Sequence, residues 1–165
     1  MTARVLTFCI RPARPADLAA VESLLSISDL PLAGVREAFE DFFVAEGDRP
    51  GQQPLQVVGA IGLERHGRHA LLRSAVLADG WRGRGFGRML VDQLLEHARS
   101  IGVDELYLLT TTAERFFTQL EFRTIERADV PASVRGSIEF TSACPDTAVA
   151  MQRALRSPAA RKPTR

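Results

Sequence analysis

The chain has 165 residues, enough for one domain with a real core. It is 45% apolar and 25% charged with a net charge of +1, which argues against a nucleic-acid-binding surface or attraction to an anionic membrane. No apolar stretch reaches membrane-spanning length, and Met1 to Pro12 lacks the apolar core of a secretory signal, so a cytoplasmic protein is expected.

In chain order, Leu6 to Arg11 alternates as a first strand. Pro15 to Leu25 carries Leu18, Val21, Leu24 and Leu25 at helical spacing, with Pro15 and Asp17 suited to a first turn. Val35 to Phe39 predicts a second short helix, and Phe42 to Glu46 a strand. Gly47 to Pro54 holds two glycines and two prolines and predicts a hairpin loop. Gln56 to Glu64 predicts a central strand; after a turn at Arg65 to Arg68, His69 to Ala78 runs back antiparallel. Met89 to Ser100 predicts an amphipathic helix whose apolar face is Leu90, Val91, Leu94, Leu95 and Ala98, ended by Gly102. Val103 to Thr110 predicts a strand, Thr112 to Leu120 a helix, and Phe122 to Arg127 and Ala148 to Arg153 two last strands around a short helical turn at Pro131 to Gly136. The strand–helix–strand crossover through residues 71–110 makes its two strands parallel, so the fold class is α/β with a mixed sheet. The domain is expected over residues 1–156, with 157–165 a disordered basic tail.

Cys9 and Cys144 lie far apart and read as free thiols, and His66, His69 and His97 are too scattered to suggest a metal site. The informative segment is Trp81-Arg82-Gly83-Arg84-Gly85-Phe86-Gly87-Arg88, set between an apolar strand and an amphipathic helix. Such a turn aims backbone amides and the positive end of a helix at one spot, which suits a phosphate or pyrophosphate. Arg82, Arg84 and Arg88 add positive charge there. A P-loop is excluded because no lysine follows Gly87, and a dinucleotide fingerprint because the third glycine is missing and the loop lies mid-chain.

The spacing Arg82, Gly85, Gly87 resembles the R-x-x-G-x-G acyl-CoA pyrophosphate loop of the GNAT family of N-acetyltransferases. The element order over residues 6–155 also resembles the GNAT fold. Leu106 to Phe117, Leu71 to Ser74, and Val130 to Arg135 continuing through Glu139-Phe140 and Cys144-Pro145 are similar to arsenic-resistance N-acetyltransferases. The resemblance implies acetyl-CoA as donor and a glutamate-like amino acid or analogue, of the arsinothricin or phosphinothricin type, as acceptor. Glutamate itself, another primary-metabolite amine, and a non-catalytic CoA-binding module remain the alternatives. The expected partner is a small-molecule amine, and a homodimer is left open.

The resemblance also distributes roles. Donor binding falls to Arg82, Gly83, Arg84, Gly85, Phe86, Gly87 and Arg88, with Phe116 packing on pantetheine and a backbone amide near Ala75, Val76 or Leu77 polarising the thioester. Glu64 is the carboxylate expected to act as base, with Glu114 the alternative. Arg73 interrupts an apolar run, so it needs a partner or a wet cleft; with Arg135 it would meet the acidic groups of the acceptor. Ser74, Thr110 and Thr111 would supply hydroxyls, while Thr112 would cap the following helix. The family's usual tyrosine acid is replaced by Phe117, and its usual glycine by Glu121 before Phe122.

Overall fold

The computed structural model describes residues 6–48, 54–143 and 145–155. Seven strands form one mixed sheet: β1 (Phe8–Pro12), β2 (Phe42–Gly47), β3 (Gln56–His66), β4 (His69–Leu77), β5 (Glu105–Thr110), β6 (Arg123–Ile125) and β7 (Val149–Ala154). Their spatial order is β1-β2-β3-β4-β5-β7-β6. The expected strand count and the parallel β4–β5 crossover are both present. The Gly47–Pro54 loop falls partly, and Cys144 and the tail from Ser157 wholly, outside the described residues.

The described residues pack as two compact units: those up to Glu64 together with Arg73–Leu94, and Arg65–Leu72 together with those from Leu95 onward. In the first, α1 (Leu18–Ile27) and α2 (Val35–Ala38) send Val21, Leu25 and Val35 onto Phe42, Val44, Ala60 and Val76. Gly62 is glycine because it lies across the ladder from Phe42, where a Cβ would come within 2.2 Å of the ring. Ahead of α1, the expected first turn is a 3-10 turn at Pro15–Asp17. Asp17 there is buried; it accepts two hydrogen bonds from the Arg11 guanidinium, at 2.7 and 2.9 Å, and one from the Arg14 amide at 2.7 Å. Arg11 also donates to Glu46, tying β1, β2 and the start of the helical segment together.

In the second unit, β4 and β5 pair in parallel, and β7 runs antiparallel to β5 over six residue pairs. Leu71, Tyr107 and Ala150 of these strands pack on Val130 and Val134, the latter from α5 (Ala132–Arg135). Helical turns at Arg127–Asp129 and Glu139–Ala143 were not expected; both are too short to show a hydrophobic period. α4 spans Glu114–Gln119, and α3 spans Phe86–Ser100.

Two boundaries differ from expectation in an informative way. α3 begins at Phe86 rather than Met89, because the Gly85 carbonyl already accepts the Met89 amide. Thr112 does not cap α4: the Ala113 amide donates to Thr110 Oγ1 at 3.0 Å. The predicted α3 stripe, Leu90, Val91, Leu94, Leu95 and Ala98, is buried throughout, and Gly102 closes the helix at φ 86°.

Hydrogen bonds from Arg11, then Arg14, hold the Asp17 carboxyl below the ordinary carboxylate range. A depressed folded-state pKa adds stability that is present above the unfolded value of about 3.9 and fades as pH falls through the folded one. Asp17→Asn is therefore expected to cost about 1–3 kcal/mol at neutral pH and to flatten this acid limb in urea melts taken from pH 6 to pH 2. An unchanged acid limb would contradict the assignment.

Candidate functional site

The glycine turn stands between the end of β4 and the start of α3. Gly83 and Gly85 adopt φ values of 75° and 85°, a region that costs other residues about 1–2 kcal/mol, so the turn needs glycine for its conformation. No atom lies within 4 Å of where a Cβ would project at either residue, which leaves room against the backbone for a ligand. Gly87 has no positive φ and lies in the first turn of α3. The first four amides of a helix have no intrahelical acceptor and carry the positive end of its dipole, so the amides opening α3 are available to an anion.

The three arginines are exposed but not equivalent. Arg82 is drawn back toward β4 and α1: its Nε donates to the Leu77 carbonyl at 3.1 Å and Nη2 reaches Ser28 Oγ at 3.4 Å. Arg84 lies at the turn itself and Arg88 on the first turn of α3.

β4 changes character along its length. Its ladder with β5 covers His69↔Glu105, Ala70↔Leu106 and Leu71↔Tyr107. Three residues on, Ser74 takes φ 57°, a left-handed kink uncommon for a non-glycine residue in a strand. Beyond it Val76 turns its side chain into the first unit's core, while Ala75 and Leu77 are partly exposed.

Arg73 finds partners rather than a wet cleft. Its side chain is 0% exposed, with Nη1 3.0 Å from Glu64 Oε2. Nη2 donates to the Ala33 carbonyl in the α1–α2 connection, and Nε reaches Ser74 Oγ at 3.3 Å. Glu64 keeps 19% of its side chain exposed while its carboxylate meets Arg73. The contact with Ala33 had no sequence signal, because it is made by a backbone carbonyl forty residues away.

In the second unit, Thr110 ends β5 and spends its Oγ1 on α4, while Thr111 is exposed just beyond. Phe116 is partly exposed and stacks edge-on against the buried Phe117. Arg135 is exposed at the end of α5, and Glu114 accepts a hydrogen bond from Thr124. Phe117 has no acidic proton, and Tyr107 does not replace the missing tyrosine. Its hydroxyl donates to Glu105 at 2.6 Å and accepts from Gln152, and burial with the nearby carboxylate pushes it above the usual tyrosine range. Glu121 occupies the family's glycine position at φ 67°, taking the left-handed conformation that a glycine would adopt freely.

The family model for the acetyltransferase (GNAT) domain matches residues 38–124. An amino-acid acetyltransferase of Mycobacterium tuberculosis is 30% identical over 138 residues, covering 76% of this chain and 74% of the relative. An uncharacterized N-acetyltransferase of Chlorobaculum tepidum is 28% identical over 134 residues, covering 76% of this chain and 82% of the relative. Among solved structures, a Mycobacterium tuberculosis protein in complex with CoA superposes with a TM-score of 0.72 at 24% identity, over 88% of this chain and 98% of that one. The N-acetylglutamate synthase of Neisseria gonorrhoeae, complexed with coenzyme A and N-acetyl-glutamate, gives a TM-score of 0.74 at 18% identity, over 94% of this chain and 37% of that one.

The chain therefore belongs to the GNAT acetyltransferases. It is an enzyme of acyl transfer, and acetyl-CoA is the donor that family uses. No helix among the described residues is long and apolar enough to cross a membrane.

Removing one member of a buried ion pair strands the other's charge, so Arg73→Ala is expected to cost about 3 kcal/mol in urea unfolding at pH 7. A loss below about 1 kcal/mol, the range of exposed pairs, would show that the pair is not the internal brace described here.

Proposed function

We propose that this enzyme transfers the acetyl group of acetyl-CoA to the α-amine of a glutamate-like amino acid or analogue. The observation that carries the donor side is the glycine turn: two residues at positive φ, open space against their backbone, and the start of a fifteen-residue helix. Amides from Gly83 to Arg88 hold the diphosphate, with Arg84 and Arg88 adding charge-assisted contacts of roughly 1.5–3 kcal/mol each. Arg82 supports the turn through Leu77 and contributes charge from its exposed side. Acetyl-CoA brings an activated thioester; the chain's part is to fix it, polarise its carbonyl and receive a proton.

Polarisation is assigned to a backbone amide of Ala75, Val76 or Leu77, past the Ser74 kink where β4 has left its ladder with β5. The incoming amine is mostly protonated at neutral pH, so a proton must leave it before attack. Glu64 is the proposed acceptor of that proton, directly or through water; Arg73 pairs with it and is itself held by Ser74 Oγ and the Ala33 carbonyl. Thr110 and Thr111 for hydroxyls, Phe116 for an apolar contact with pantetheine and Arg135 for an acceptor carboxylate are roles that rest on the sequence reading alone. With phenylalanine at residue 117, the departing thiolate is not protonated by the family's usual tyrosine.

The amino-acid acceptor is supported by the named activities of two relatives, an amino-acid acetyltransferase and an N-acetylglutamate synthase. The finer reading, arsinothricin or phosphinothricin and hence a detoxifying role, rests on the resemblance of segments 106–117 and 130–145 to arsenic-resistance enzymes. A cytoplasmic setting and a homodimer belong to the same reading.

Thiol release from acetyl-CoA should be screened with phosphinothricin, arsinothricin, glutamate and other α-amino acids. Turnover with the glutamate-like compounds is expected. Turnover with none, despite CoA binding, would favour the non-catalytic module. Gly85→Trp places an indole where the diphosphate would lie and is expected to abolish both CoA binding and turnover. Normal CoA affinity in that variant would remove the turn from the donor site.

A further inference from the structure

The two ends of the glycine turn rest on one aromatic support. Trp81 opens the turn and Phe86 closes it, with ring centroids 5.6 Å apart. Phe8 of β1 stacks on Phe86 at 4.1 Å with 19° between the planes, and lies 6.0 Å from Trp81. Trp81 is 2% exposed although its neighbours Gly80 and Arg82 are exposed. Its ring lies over Gly47 of β2, where a Cβ would come within 2.5 Å of it. Gly47 is in turn the cross-strand partner of Phe8. The Trp81 amide donates to the Ala78 carbonyl, and the Ala78 amide to Val58, so the backbone entering the turn is anchored to β3 as well.

We propose that Phe8 and Gly47 are positioning residues for CoA: they fix the span between Trp81 and Phe86, and thereby the amides the turn presents. This rests on the reading that the turn holds the diphosphate. A turn with two glycines has many conformations, and each one frozen only on binding weakens affinity. Seating both ends on β1 and β2 moves that ordering from the binding step to folding. Gly47 lets the indole lie against the sheet; Phe8 supplies the flat face that Phe86 needs. Both lie on N-terminal strands, apart from the glycine motif in sequence, and neither belongs to the turn itself.

The test is calorimetric titration of CoA into the wild type, Phe8→Ala, Phe8→Tyr and Gly47→Ala, with thermal melts alongside. The Kd for CoA is expected to rise about tenfold in Phe8→Ala and Gly47→Ala and to stay within about twofold in Phe8→Tyr, which keeps the ring. In turnover, KM for acetyl-CoA rises while kcat and the acceptor KM hold. A lowered melting temperature with unchanged CoA affinity would overturn the proposal, since a purely structural role predicts that result. If Phe8→Ala does not fold, Phe8→Leu carries the test: it keeps apolar volume but loses the stack, and wild-type CoA affinity in it would overturn the proposal. Failure of the wild type to bind CoA is a different result, and it would sink the donor-site reading beneath.

Discussion

Backbone amides can face an anion only where no side chain intervenes and no carbonyl already claims them. Around the glycine turn, Gly83 and Gly85 carry no side chain, and the opening of α3 presents amides that have no intrahelical acceptor. Both glycines adopt a left-handed backbone, and α3 starts at once after them. The rest of α3 keeps that end in place. Five apolar residues bury one face, and Gly102 terminates the helix with its own left-handed residue. A longer lead into the helix would separate the dipole from the glycines, and the early start at Phe86 brings them together.

β4 performs two tasks in sequence. Its first residues pair in parallel with β5; its last residues leave that ladder after the kink at Ser74 and lead into the turn. Between these parts sits Arg73, wholly buried and bonded to Glu64, Ser74 and the Ala33 carbonyl. A guanidinium is stable in such a place only with its hydrogen bonds met, and the left-handed residue beside it brings one acceptor within reach. Strain at Ser74 and the buried charge at Arg73 are thus parts of one arrangement. It places Glu64, near the end of β3, against that cation with 19% of its side chain exposed.

Much of the fold was legible because its signals are local and periodic. The α3 stripe, the Gly102 stop and the seven strands all follow from spacing within short windows. The turn was legible for the same reason: strand, glycines, arginines and helix stand side by side in the chain. What escaped depends on partners distant in sequence. The ring of Phe8 against Phe86, and Gly47 under Trp81, join β1 and β2 to residues more than thirty positions on. Thr110 rather than Thr112 meets the start of α4, because Ala113 closes a local turn whose geometry propensity does not encode. The short helices near Arg127 and Glu139 span too few residues to leave a period.

Amide hydrogen exchange, followed residue by residue with and without CoA, tests the central claim most directly. Amides from Gly83 to Arg88 should exchange more slowly when CoA is bound, with the largest protection at the opening of α3. Saturating CoA that leaves those amides exchanging at their unliganded rates would contradict the account.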